Sequence, residues 1–137
     1  MDLKKNKIYF ASDFHLGNVS KEDSLAREKK IVQWLNYVSK DAEEIYLLGD
    51  IFDFWFEYKN VVPKGFVRFL GTLANLADSG VRVHFFCGNH DLWIRDYFQD
   101  ELGIIVHHQK ETLNLYGKTF MIGHGDGLDS KDKKYKF

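Results

Sequence analysis

Four short β-prone runs in this chain each stop abruptly on a small cluster of glycine, carboxylate, amide or imidazole. Ile8-Tyr9-Phe10-Ala11 ends at Ser12-Asp13-Phe14-His15, and Ile45-Tyr46-Leu47-Leu48 ends at Gly49-Asp50. Val81 to Cys87 ends at Gly88-Asn89-His90-Asp91, and Lys118 to Ile122 at Gly123-His124-Gly125-Asp126. Uninterrupted apolar runs such as Ile45 to Leu48 suit strands covered on both faces, as in a parallel sheet. Polar groups at the tip of a buried strand cost free energy unless something binds them. The pattern therefore constrains both the fold and the place where its chemistry lies.

Helical patterns separate these runs. From about Lys21 to Ser39 the positions Leu25, Ile31, Val32, Leu35 and Val38 fall near one helical face, with Arg27, Glu28, Lys30 and Gln33 off it. Phe66, Phe69, Leu70, Leu73, Leu76 and Ala77 recur at helical spacing after Pro63 and Gly65, and Gly80 is placed as a C-terminal stop. Leu92 to Leu102 reads as a short helix ended by Gly103, and Ile104-Ile105-Val106 as a further strand. Thr112 to Tyr116 and Lys118 to Ile122 read as a hairpin. The aromatic segment Phe52 to Tyr58 has no clean period. Core packing is its ordinary role, with contact to a nucleoside or acyl group as the functional alternative. The order strand, helix, strand, helix, strand predicts an α/β fold with right-handed crossovers. Ligands in such folds bind outside the carboxyl ends of the strands, so Asp13, His15, Asp50, Asn89, His90 and His124 are expected to converge. Residues 1–126 are expected to form the core, and 127–137 a polar tail leading toward a further C-terminal portion.

Composition narrows the classes of function. A formal net charge of −1 over 137 residues lacks the basic excess of a nucleic-acid binder. The single cysteine, Cys87, excludes an intrachain disulfide and a multi-cysteine zinc cage, and its place in an apolar run suggests a packing thiol. The segment Met1 to Lys7 has no apolar stretch behind it, and no run approaches the ~20 residues needed to span a bilayer. A cytoplasmic protein is expected. The lysines near the C-terminus read as a solvated charge run, with contact to anionic lipid as the alternative.

Two carboxylates, one amide carbonyl and two or three imidazoles make a mixed oxygen and nitrogen donor set. It suits Mn²⁺, Mg²⁺, Fe²⁺ or Zn²⁺. One cation would use three or four of these groups, and five or six invite a pair bridged by one carboxylate, the arrangement that clamps attacking and leaving oxygens in phosphoryl displacement. Such a pair activates water, so no nucleophilic serine or cysteine is required. The bland alternatives are a helix cap for Asp13 and a turn hydrogen bond for Asp50. His84 reads as a satisfied core residue, and His107 and His108 as surface groups.

With Asp13-Phe14-His15, Gly49-Asp50, Gly88-Asn89-His90-Asp91 and His124 in this order, the chain resembles the calcineurin-like metallophosphoesterases. The final Gly-His-x-His of their signature does not occur before Phe137, which suggests the N-terminal part of a longer enzyme. Gly49-Asp50-Ile51-Phe52-Asp53-Phe54-Trp55 and Met121 to Asp126 are similar to the UDP-2,3-diacylglucosamine pyrophosphohydrolases of lipid A synthesis, many of which have arginine where His90 stands. The resemblance implies two divalent cations, most simply Mn²⁺, with Asp13 and His15 on one, Asn89 and His124 on the other, and Asp50 between them. His90 would face the phosphate, while Asp53, Asp91 and Asp126 would support these groups from behind. It further implies hydrolysis of UDP-2,3-diacylglucosamine to UMP and 2,3-diacylglucosamine 1-phosphate, no nucleic-acid partner, and peripheral contact with the inner membrane. The alternatives are another metallophosphoesterase, acting on nucleotides, phosphoproteins or nucleic acid, and a non-catalytic binding module of the same fold.

Overall fold

The computed structural model describes residues 4–18 and 20–124; Asp126 and the expected tail at 127–137 lie outside them. Four parallel strands, β1 (Lys7–Ala11), β2 (Ala42–Leu47), β3 (Arg82–Phe86) and β4 (Ile105–His107), form one sheet in the order β1-β2-β3-β4. Helix α1 (Lys21–Val38) links β1 to β2, and α2 (Val67–Asp78) links β2 to β3. Because each right-handed crossover steps in the same direction, both helices lie on one face of the sheet. An antiparallel hairpin, β5 (Glu111–Leu115) and β6 (Lys118–Ile122), covers part of the other. The expected α/β fold and all of the expected strands are present, each displaced by at most three residues.

Register divides the side chains between the two faces. Tyr9, Ile45 and Val83 are neighbours across the strands, and so are Phe10, Tyr46, His84 and Ile105. The first row joins Leu35 and Val38 of α1 and Phe69 and Leu73 of α2 in the main core. Phe52 anchors that core, with its ring 4.6–6.3 Å from those of Trp55, Phe66, Phe69, Phe85 and Phe98. Each fully buried side chain of this size contributes about 1.5–3 kcal/mol. The aromatic segment alternates: Trp55 and Glu57 point inward, while Phe54, Phe56 and Tyr58 remain exposed.

Two segments depart from the sequence pattern. In place of a helix over 92–102 there is only a π-helical turn at Phe98–Leu102. Trp93 instead pairs with Phe56 in a parallel bridge, and the buried Glu57 carboxylate accepts the Tyr97 N–H at 3.1 Å. These non-local bonds take the Trp93 carbonyl and the Tyr97 N–H, which a helix would have paired with each other. The second departure is Glu28, expected on the outer face of α1 but only 4% exposed. Helix α2 starts at Phe66 in the left-handed conformation (φ 60°) with no capping side chain of its own. Glu28 reaches across and accepts the Phe69 N–H at 3.0 Å, a carboxylate at the positive end of the helix dipole.

On the hairpin face a polar chain crosses three strands. Glu44 accepts from Arg82 Nε at 3.2 Å and lies 3.0 Å from His84 Nε2, and His84 Nδ1 faces His107 Nε2 at 3.0 Å. This pairing draws His107, expected at the surface, to only 16% side-chain exposure. Tyr46 stacks flat on His84 with ring centroids 4.2 Å apart. Burial, opposed by Glu44, pushes the His84 pKa down, so the folded chain favours its neutral ring.

Two outcomes are expected. Glu28→Ala should lower unfolding free energy by about 2 kcal/mol, the upper range for a lost helix cap, with Glu28→Gln retaining part of it, as read by urea denaturation. For His84, the unfolded chain takes up the proton first as pH falls below about 6.5. Stability should therefore be full above that pH and decline below it, and His84→Gln should flatten the decline between pH 6.5 and 5.

Candidate metal centre

The carboxyl ends of β1, β2 and β3 open into loops that are laced together by main-chain bonds. The N–H groups of Asp13, His15 and Leu16 donate to the carbonyls of Gly49, Asp50 and Ile51, and that of Asp53 to Leu16, at 2.9–3.0 Å. The loop after β1 thus runs beside the loop after β2. Three non-glycine residues here, Asp13 (φ 61°), His15 (φ 46°) and Asp50 (φ 51°), are left-handed, a backbone state that L-residues avoid and that concentrates at functional sites.

Asp50, 5% exposed, is the hub. Its Oδ1 accepts the His90 N–H at 2.9 Å, and its Oδ2 lies 3.3 Å from His124 Nε2 and 4.0 Å from His15 Nε2. Asp13 Oδ1 is 3.5 Å from His124 Nε2 and 3.6 Å from His15 Nε2. Burial, the largest single effect, pushes the Asp50 carboxyl up, but the bonds from His124 and His90 N–H and the charges of both rings outweigh it and hold it below the usual range. The side-chain oxygen of Asn89 faces only acceptors. With the amide turned over, its nitrogen lies 3.1 and 3.0 Å from the Asp50 oxygens. Turned that way, Asn89 holds the Asp50 carboxylate by hydrogen bonds, and Asp13, His15 and Asp50 each present a donor atom, all within 4.8 Å of one another. The residues present fit a divalent cation.

Asp53 stands behind this group. Its carboxylate is 3.5 Å from His15 Nδ1, a buried atom with no hydrogen bond, and 3.6 Å from His90 Nδ1. Its carbonyl lies 2.9 Å from His90 Nδ1. A carbonyl can only accept, so this ring carries its proton on Nδ1. His15 and His90 meet edge to face at 5.0 Å.

Asp91 turns the other way, into the protein, and is fully buried. Its carboxylate accepts the N–H groups of Gly88 (2.6 Å), Ile51 (2.9 Å), Asp50 (3.3 Å) and Phe52 (3.4 Å). Burial pushes its pKa up to about 6 while these amides pull it down. The loops approach so closely that a Cβ on Gly88 would lie 2.4 Å from Asp50 Oδ1, and one on Gly49 2.8 Å from His124 Cδ2.

Sequence patterns did not indicate Arg27 or Ser24 of α1. Arg27 Nη1 donates to the carbonyls of Phe14 and His15, and Ser24 Oγ accepts the Gly17 N–H. No local signal distinguishes these residues from solvated helix positions. Cys87 is half-buried, with Sγ 3.6 Å from His108 Nδ1.

Asp91→Asn replaces acceptor lone pairs with N–H donors against buried amides. It should cost about 3 kcal/mol, from more than one unsatisfied buried group, measured by urea denaturation.

The motif order and this geometry agree with comparisons against known proteins. The calcineurin-like phosphoesterase family model matches residues 6–135. A UDP-2,3-diacylglucosamine hydrolase of Porphyromonas gingivalis is 50% identical over 122 residues, covering 89% of this chain and 47% of that protein. Its counterpart in Vibrio vulnificus is 35% identical over 127 residues, covering 93% and 50%, and that of Nitrosococcus oceani 30% identical over 128 residues, covering 93% and 49%. The chain spans about half the length of the curated relatives it matches. It belongs to the calcineurin-like phosphoesterase family.

Proposed function

We propose that the protein carrying this chain is a divalent-metal phosphohydrolase that cleaves the pyrophosphate of UDP-2,3-diacylglucosamine, giving UMP and 2,3-diacylglucosamine 1-phosphate. The observation that carries the proposal is the gathering of Asp13, His15, Asn89 and His124 around Asp50, on four loops in all, with nitrogen and oxygen atoms 3.0–4.0 Å apart. The substrate is suggested by the names of the relatives.

Asp13 and His15 would hold one cation and Asn89 and His124 a second, with Asp50 shared. Oxygen and imidazole donors without thiolate suit Mn²⁺, with Fe²⁺, Zn²⁺ and Mg²⁺ as alternatives. When bound, such a pair polarises phosphate oxygens and activates water. The chain's own groups do the orienting. Asp53, 3.5 Å from Nδ1 of His15, stands where a carboxylate would orient that ring and leave Nε2 for the cation, the usual support for a ligating histidine. His90, its Nδ1 proton committed to the Asp53 carbonyl, offers Nε2 to the substrate. A neutral ring could there only accept, so contact with a phosphate oxygen requires the imidazolium, which also stabilises charge developing on the phosphate. Phe54, next to Asp53 in the sequence, and the paired Phe56 and Trp93 are exposed and would meet apolar parts of the substrate. A diacylated substrate would bring the protein, as a peripheral one, to the cytoplasmic side of the inner membrane.

In the full-length protein with Mn²⁺, Asp50→Ala should lower UMP release from UDP-2,3-diacylglucosamine by about 10³-fold or more, since cation stabilisation of the transition state is worth several kcal/mol. Undiminished activity would refute the metal assignment. Turnover of single-stranded DNA or bis-p-nitrophenyl phosphate in preference to the lipid would refute the substrate.

A further inference from the structure

Asp13 and His15 stand in left-handed conformations that non-glycine residues disfavour. Part of what holds this turn lies on α1. Arg27 Nη1 donates to the carbonyl oxygens of Phe14 and His15, both at 3.1 Å. Three residues earlier, Ser24 Oγ accepts the Gly17 N–H at 2.9 Å, and the Asn18 N–H closes a turn onto the His15 carbonyl at 3.1 Å. Two successive carbonyls aimed at one point repel each other unless a cation or paired donors stand there. A guanidinium supplies both, in a planar and preorganised form that lysine lacks.

The placement of Arg27 matters because His15 turns at this spot. With its carbonyl held by Arg27 and its N–H by the Asp50 carbonyl, the His15 main chain is fixed on both sides of Cα. From that backbone the ring reaches with Nε2 3.6 Å from Asp13 Oδ1 and 4.0 Å from Asp50 Oδ2, and with Nδ1 toward Asp53. We propose that Arg27 is a positioning residue for the cation site. It holds the Phe14 and His15 carbonyls and so sets how tightly the Asp13 and His15 pair grips a cation, without touching cation or substrate. This rests on His15 being a metal ligand, as proposed above.

The test is Mn²⁺ binding to metal-stripped full-length protein, followed by electron paramagnetic resonance and calorimetry, with melting temperature recorded in parallel. Arg27→Ala should weaken the tighter Mn²⁺ binding step by about 10–100-fold, the range for loss of a group that supports a ligand. The Mn²⁺ concentration for half-maximal hydrolysis should rise in parallel, with kcat at saturating Mn²⁺ restored to within a few-fold. Arg27→Lys, which keeps the charge but not the planar fork, should fall between. If Arg27→Ala loses its cooperative melt, Arg27→Lys and the neutral Arg27→Gln are judged by the same binding shift. Unchanged Mn²⁺ affinity in the folded variants would overturn the proposal, as would a fall in kcat with no change in Mn²⁺ requirement. Asp50→Ala separates the two levels. If it too leaves Mn²⁺ binding intact, the metal reading itself fails; if it abolishes binding while Arg27 variants do not shift it, only the role of Arg27 fails.

Discussion

A carboxylate taken wholly out of water must be met by donors, and Asp91 is met by four main-chain N–H groups drawn from two loops. Three belong to the turn after β2 and one to the turn after β3, so one side chain ties together the ends of neighbouring strands. Everything nearer the surface is built on that tie. The His90 N–H can reach Asp50 because Gly88 lies against the Asp50 backbone, and it lies there because it lacks a Cβ. The loop after β1 is then fastened to the same turn by its own ladder of amides.

The three left-handed residues belong to this arrangement. Asp13, His15 and Asp50 are held in an unfavourable backbone state by main-chain hydrogen bonds and, at His15, by Arg27. These bonds belong to the scaffold and set the carboxylates and imidazoles facing each other. Preorganisation of this kind is what a precise site requires of its surroundings.

Much of the fold was legible because its signals are local. Apolar runs that break on glycine and polar residues mark β1, β2 and β3, and a parallel sheet puts such breaks along one rim, which is why the loops bearing Asp13, His15, Asp50 and Asn89 can be grouped from the sequence alone. The aromatic run was harder. Phe52 and Trp55 entered the core while Phe54, Phe56 and Tyr58 did not, because the segment is extended and alternates rather than helical. What stayed hidden depends on partners distant in sequence. Arg27 and Glu28 sit where an amphipathic helix places solvated charge, and their jobs appear only once the loop after β1 and the start of α2 are beside them. Residues 92–97 look helical in isolation, but Trp93 pairs with Phe56, and His107 looks exposed until His84 is across from it.

The Glu28 carboxylate makes one helix depend on another. Helix α2 lacks a cap of its own and begins on a strained residue, so its first turn is poorly nucleated as an isolated segment. Its missing acceptor is delivered by α1, a helix with its own cap at Ser20 and acidic residues in its first turn. The start of the second crossover is thus completed by a side chain of the first. The two crossovers are joined by this carboxylate as well as by the apolar core.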